Sequence, residues 1–357
     1  MDGPDPRVPF PPMEAELVEQ LPIGERWQYE PKWDGFRGVL ENASGELRLW
    51  SRNGRPLLRY FPELRELGAR LPAVSALDGE IVIERGGVLD FEAMQQRLHP
   101  AESRIRRLSG ETPATFVAFD ILLWDGVRIA DLPLRERRPL LERHAAAFRL
   151  SPATADPAQA GRWLERLEAI GLDGVVCKRL DLAYKPGSRE AVMKVKPHRT
   201  CDCVIVGYRT SASGGSGGSG GTAGAGGGRV ATLLLGLYDE DGTLDFVGHT
   251  SGITGTLQKD LQVRLPPLVE AAPLAHLGGG RTPGGESRWS RGKELDWTAV
   301  RPEIVCEVRY DKMEANRFRH GTRFLRFRPD KEPTECRWSQ VRPVPQPGDP
   351  TLASLLA

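Results

Sequence analysis

The chain changes its periodicity at residues 196–199, and that change limits what it can fold into more than any other feature. Before it, short β-patterned segments at 39–41, 47–50, 81–83 and 116–123 are interspersed with stretches of helical periodicity at 135–148 and 158–170. Apolar residues three and four apart mark the helices, and alternation or short apolar runs mark the strands. Beyond Lys196-Pro197-His198-Arg199 the pattern is almost purely β, at 203–208, 231–238, 244–249, 304–310 and 324–327. Several short strands with polar turns and little helix predict a small barrel.

With 357 residues there is length for two domains, each with its own core. The expected division is an N-terminal extension over 1–26, an α+β domain over 27–197, an all-β domain over 198–345 and a tail over 346–357. The five-stranded OB fold is the natural candidate for the barrel. Residues 211–228 contain only Ser, Ala, Thr and Gly. Such a run buries too little apolar surface to offset its ordering entropy, which predicts a flexible loop between two barrel strands. A phosphate-cradling Gly loop needs a helix N-terminus after it, whereas here a β-patterned run follows.

No apolar run approaches the roughly 18 residues needed to span a bilayer. The acidic, Pro-rich N-terminus lacks the basic-then-apolar order of a signal peptide, so a cytoplasmic protein with no membrane partner is expected. Five cysteines do not make a disulfide framework, and Cys201-Asp202-Cys203 lacks zinc-site spacing, which points to reduced thiols and no structural metal. The net charge is only +1, but its distribution is uneven. Residues 178–199 hold seven Lys/Arg against Asp181 and Glu190, and residues 317–328 hold five Arg and no acid. Each run reads either as a solvated surface or as an anion-binding face.

The octapeptide Glu30-Pro31-Lys32-Trp33-Asp34-Gly35-Phe36-Arg37 carries a K-x-D-G-x-R element. One reading is a hairpin with Asp-Gly at its turn and incidental charges. The other is chemical: a lysine amine attacks phosphorus only when neutral, and an Asp-Gly turn lets backbone approach a nucleotide, with Arg37 placed to hold its sugar or phosphate. Lys194 and Lys196 lie two apart on a β-patterned segment and so share a face, where like charges repel unless an anion sits between them. Asp78-Gly79-Glu80 reads also as a plain turn, and Phe119 as a core residue.

These elements, in this order, resemble the covalent nucleotidyltransferases: ATP-dependent DNA and RNA ligases and mRNA capping enzymes. Ser51-Arg52-Asn53-Gly54 looks like the family's second motif, Leu77-Asp78-Gly79-Glu80 the third, and Phe116 to Asp120 the element whose aromatic stacks on the purine, best matched by Phe119. Asp173 to Lys178 is similar to the fourth motif, although the family usually has Glu where Asp173 stands. Met193-Lys194-Val195-Lys196 resembles the fifth, and Arg328-Pro329-Asp330-Lys331 the R-x-D-K motif that closes the OB domain. The basic stretch 317–328 with interleaved Phe looks like bacterial minimal ligases of the LigC type, related to the ligase module of end-joining enzymes.

The resemblance implies an α+β adenylation domain followed by an OB-fold domain, and an ATP-dependent DNA ligase with Lys32 as the nucleophile. Glu30, Arg37, Arg52, Glu80, Phe119, Arg189, Lys194, Lys196, Arg328 and Lys331 would contact the nucleotide or phosphates. Glu80 and Asp173 would hold Mg²⁺ or Mn²⁺. A domain swing would bring Arg328 and Lys331 to pyrophosphate. The implied substrate is nicked or broken duplex DNA, with repair or end-joining proteins as partners and a monomeric enzyme. About 25 residues precede the first motif, which leaves no room there for a DNA-encircling domain. An RNA ligase or a GTP-using capping enzyme is the alternative within the same chemistry.

Overall fold

The computed structural model describes residues 3–211, 229–270, 283, 297–314 and 316–356. Except for Ser211, the loop predicted at 211–228 lies outside the described residues. Backbone proximity divides the chain into two units, Met1–Pro197 with Val344–Ala357, and His198–Pro343.

Two sheets build the first unit. The larger has seven strands, and its main antiparallel path runs Glu46–Ser51, Phe36–Ala43, Ser75–Arg85, Ala114–Trp124 and Val127–Arg128. The smaller orders Glu16–Val18, Val192–Val195, Val175–Arg179 and Trp27–Pro31. Tyr29, Val175 and Val195 of the small sheet share a buried cluster with Val82 and Val117 of the large one. Leu352 and Leu355 of the last helix, Leu352–Leu355, complete that cluster. Residues 32–35 form the crossover from strand Trp27–Pro31 of one sheet to strand Phe36–Ala43 of the other.

The helical segments shift in ways their residues explain. The periodicity over 158–170 becomes an α-helix at Pro157–Arg166 and a 3-10 turn at Leu167–Ile170. Asp156 caps its start by accepting from the amides of Ala158 and Gln159, and Pro157 supplies the preset φ of a first helical position. The stretch over 135–148 is helical only at Leu134–His144, and Arg149–Leu150 pairs as a short strand. Helices Phe91–Arg97 and Glu102–Glu111 carried too few apolar residues to be read as packed elements. Arg97 shows why: it is fully buried, and its guanidinium donates to Glu63 and to the carbonyls of Tyr60 and Thr112.

In the second unit, strands Arg199–Ser211, Arg229–Tyr238, Leu244–Ser251, Thr322–Phe327 and Val305–Tyr310 pair in that order, and the last returns to the first. This closed five-stranded barrel is the expected OB fold. A helix at Gly255–Arg264, not foreseen in a domain read as nearly all β, buries Gln258 and Leu261. Cys201, Cys203, Cys306 and Cys336 belong to the barrel core, and all five cysteines are buried free thiols. Among the described residues no helix is long and apolar enough to cross a membrane.

One buried ion pair ties sheet to helix. Arg137 donates to both carboxylate oxygens of Asp120 at 2.8 and 2.9 Å, with side chains 1% and 2% exposed. Removing one partner leaves a buried charge uncompensated. Asp120→Ala should therefore cost about 3–5 kcal/mol in urea unfolding, and the double replacement Asp120→Leu, Arg137→Met should recover most of it. Equal losses in the single and double variants would show that the pair does not govern stability here.

Candidate active site

The register of the small sheet builds one wall of a cavity of about 430 Å³. Leu17 pairs with Lys194, Lys194 with Val176, and Val176 with Glu30. Directly paired residues project to the same face, and all four line the cavity. On the large sheet Arg37 pairs with Glu80, and both line the cavity as well, with Phe119 from strand Ala114–Trp124. Arg52 and Arg189 lie on its rim, both exposed.

Lys32 is held at the crossover by its backbone. Its amide donates to the Gly174 carbonyl at 2.9 Å, and its carbonyl accepts from the Asp173 amide at 3.1 Å. Close approach explains two glycines. A Cβ on Gly35 would lie 2.0 Å from the Ile81 carbonyl oxygen, and one on Gly174, at φ +116°, would lie 2.1 Å from that of Val195.

The Lys32 ammonium donates to Asp173 Oδ2 at 2.9 Å, and Lys196 Nζ stands 3.0 Å from the same oxygen. Burial alone would raise the Asp173 carboxyl, but the two lysines outweigh it and hold the group down at about 2. Lys194 has the opposite problem. Desolvation first, then Lys32, Lys196, Arg189 and Arg52, push its ammonium below the usual lysine range.

Arg37 and Glu30 both make ion pairs in the cavity wall. Arg37 Nε and Nη2 donate to the buried carboxylate of Asp78 at 3.0 and 2.6 Å, and Nη1 donates to the Met13 carbonyl at 2.6 Å. Tyr184 closes this network by donating to Asp78 Oδ2 at 2.6 Å. Glu30 pairs with Lys178 at 2.7 Å, both buried, and the Phe119 ring has Lys178 Nζ 4.6 Å and the Arg37 guanidinium 5.2 Å from its centroid. Arg189 pairs with Glu14 at 2.6 Å. Asp78, Tyr184 and the Met13–Leu17 wall were not foreseen as parts of the site.

The cavity thus gathers Glu30, Lys32, Arg37, Arg52, Glu80, Phe119, Arg189 and Lys194, and Asp173 and Lys196 join through Lys32. Arg328 and Lys331 belong to the second unit, where both bind Asp202. Glu80 and Asp173 both feel the charge of Lys32. Among the described residues no three His, Cys, Asp or Glu side chains converge on a cation site. Glu80 and Asp173 are hard oxygen donors of the type that Mg²⁺ or Mn²⁺ takes together with water.

Glu80 gives a stability test. Burial first, with Asp34 and Asp78 adding to it, lifts its carboxyl from 4.5 to about 7 against the pull of Lys32 and Arg37. A raised folded-state value stabilises the protein below 4.5, and that contribution is lost as pH rises through 7. Glu80→Gln, which mimics the protonated form, should gain at most about 3 kcal/mol over the parent at pH 8, with the gain vanishing near pH 4.5. Thermal unfolding across that range measures it, and a pH-independent difference would rule out the burial account.

The comparisons with known proteins agree with this geometry. The model for the ATP dependent DNA ligase domain matches residues 12–196, and that for the ATP dependent DNA ligase C terminal region matches residues 226–331. The chain is 43% identical to DNA ligase C2 of Mycolicibacterium smegmatis over 94% of this chain and 95% of that one. It is 42% identical to DNA ligase C of Mycobacterium tuberculosis with the same coverage. A solved Lig E DNA ligase shares the fold, with a TM-score of 0.51 at 16% identity over 88% of this chain and 98% of that one. With a lysine at the crossover of the two sheets of its first unit, an OB barrel as its second, and these matches over nearly its whole length, the chain belongs to the ATP-dependent DNA ligases.

Proposed function

We propose that Lys32 is the residue this ligase adenylates, and that the cavity around it binds the adenosine and α-phosphate of ATP. The observation that carries the reading is Lys194. Its ammonium is partly desolvated among Lys32, Lys196, Arg189 and Arg52, an arrangement that costs energy until an anion joins it. A triphosphate or an adenylate is that anion, and Phe119 offers the ring on which a purine stacks.

In the first step Lys32 gives its ammonium proton to solvent, and the neutral amine attacks the α-phosphorus, a second proton leaving to solvent as the phosphoramidate forms. The Nζ–P bond forms, the bond to the β-phosphate oxygen breaks, and pyrophosphate leaves. Asp173, ionised down to about pH 2, is too weak a base to take the proton near neutrality, so its work is to orient Lys32 and Lys196. In the second step a 5′-phosphate oxygen at a nick or break in duplex DNA attacks the adenylate, and Lys32 recovers its proton as the N–P bond breaks. In the third step the 3′-hydroxyl displaces AMP and forms the phosphodiester. Lys194 and Lys196 neutralise charge on the α-phosphate through these transfers. Mg²⁺ or Mn²⁺ near Glu80 and Asp173 would offset further phosphate charge.

Arg328 and Lys331 serve the departing pyrophosphate, so their work ends with the first step. The test compares two reactions under single turnover at matched salt: formation of protein-bound AMP from α-labelled ATP, and sealing of a nick already carrying AMP on its 5′-phosphate. Lys32→Ala should form no adduct. Arg328→Ala and Lys331→Ala should slow adduct formation by roughly 10² to 10³. Sealing of the adenylated nick should stay within a few fold in Arg328→Ala and Lys331→Ala. A normal adduct on Lys32→Ala, or equal slowing of both reactions by the barrel variants, would remove the assignments.

A further inference from the structure

Asp202 lies between Cys201 and Cys203 on strand Arg199–Ser211. Both cysteine side chains belong to the barrel core, so alternation along the strand turns the carboxylate outward. Its oxygens hold two cations. Arg328 Nη1 donates to Oδ1 at 2.9 Å and to Oδ2 at 3.1 Å, and Lys331 Nζ donates to Oδ2 at 2.8 Å. The carboxylate is itself anchored: the Asp202 amide donates to Gln340 Oε1 at 3.0 Å, and its carbonyl accepts from Gln340 Nε2 at 3.2 Å. The opposite edge of the Arg328 guanidinium is on Asp330. Across the barrel seam, Asp202 pairs in register with Glu307, whose carboxylate is taken by Arg326 at 2.6 Å.

A guanidinium and an ammonium that share one oxygen stand far closer than two free cations would. A lysine has three N–H donors, and Lys331 spends one on Asp202. Its side chain and that of Arg328 remain 20% and 21% exposed. The carboxylate, only 10% exposed, fixes two long and rotamer-rich side chains before any ligand arrives.

We propose that Asp202 is a positioning residue for the first chemical step: it sets Arg328 and Lys331 as one preformed cationic pair for the polyphosphate of ATP. The inference rests on the role given above to those two side chains. The rival view is that Asp202 masks them, because two carboxylates and two cations make a neutral cluster.

The two views predict opposite signs. In single-turnover adduct formation at saturating ATP, Asp202→Asn should be slower by about 10- to 100-fold, because one acceptor no longer holds both cations. Sealing of a pre-adenylated nick should change less than twofold, and Asp202→Glu should restore most of the lost rate. In an Arg328→Ala, Lys331→Ala background, Asp202→Asn should have no further effect, as a residue acting only through those two must. Faster adduct formation in Asp202→Asn would overturn the proposal in favour of masking. An unchanged rate, or equal slowing of both reactions, would overturn it in favour of a merely structural role. If Arg328→Ala and Lys331→Ala themselves leave adduct formation intact, the underlying assignment fails instead. Should Asp202→Asn not fold, Gln340→Leu, which frees the Asp202 backbone, must slow adduct formation selectively or the proposal falls.

Discussion

One carboxylate oxygen organises the centre of this molecule. Asp173 Oδ2 receives both Lys32 and Lys196, and the same residue's amide closes a backbone bond to Lys32. Lys32 is therefore fixed by main chain and by charge at once. Burying a carboxylate is costly unless it is compensated, and here two ammonium groups supply the compensation. Gly174 makes the arrangement possible, since any side chain there would collide with the strand that carries Lys194.

The rest of the fold serves that point. Two sheets meet over a shared core, and the shortest path between them passes through Lys32. Each sheet contributes paired residues to the cavity, so its lining depends on strand register as well as on motif. Paired acids occupy Arg37, Lys178 and Arg189, while Lys194 and Arg52 add positive charge beside Lys32.

Much of this was legible in the residues. The K-x-D-G-x-R element and the paired lysines at 194 and 196 named the chemistry, and the change of pattern near 197 anticipated a barrel after a mixed domain. The less legible parts share a cause. Met13 acts through its carbonyl and Leu17 through an edge strand, and backbone contacts leave no side-chain signature. Arg97 and Arg137 look like surface charges by type yet are buried on carboxylates that lie far away in sequence. Arg37 shows a further contact that spacing does not reveal, an ion pair with Asp78, 41 residues on. The Gly255–Arg264 helix carries no strong apolar stripe, and Asp202 sits in a Cys-Asp-Cys step that drew attention to its thiols.

The adenylate is proposed to sit on a single lysine, Lys32 at the sheet crossover. This assignment is tested most directly by incubating the protein with ATP and a divalent cation in the absence of DNA, then digesting it and locating the modification by tandem mass spectrometry. One adenylate per chain, confined to the peptide position of Lys32, is the predicted result. An adenylate found instead on Lys194 or Lys196, or spread over several lysines, would contradict it.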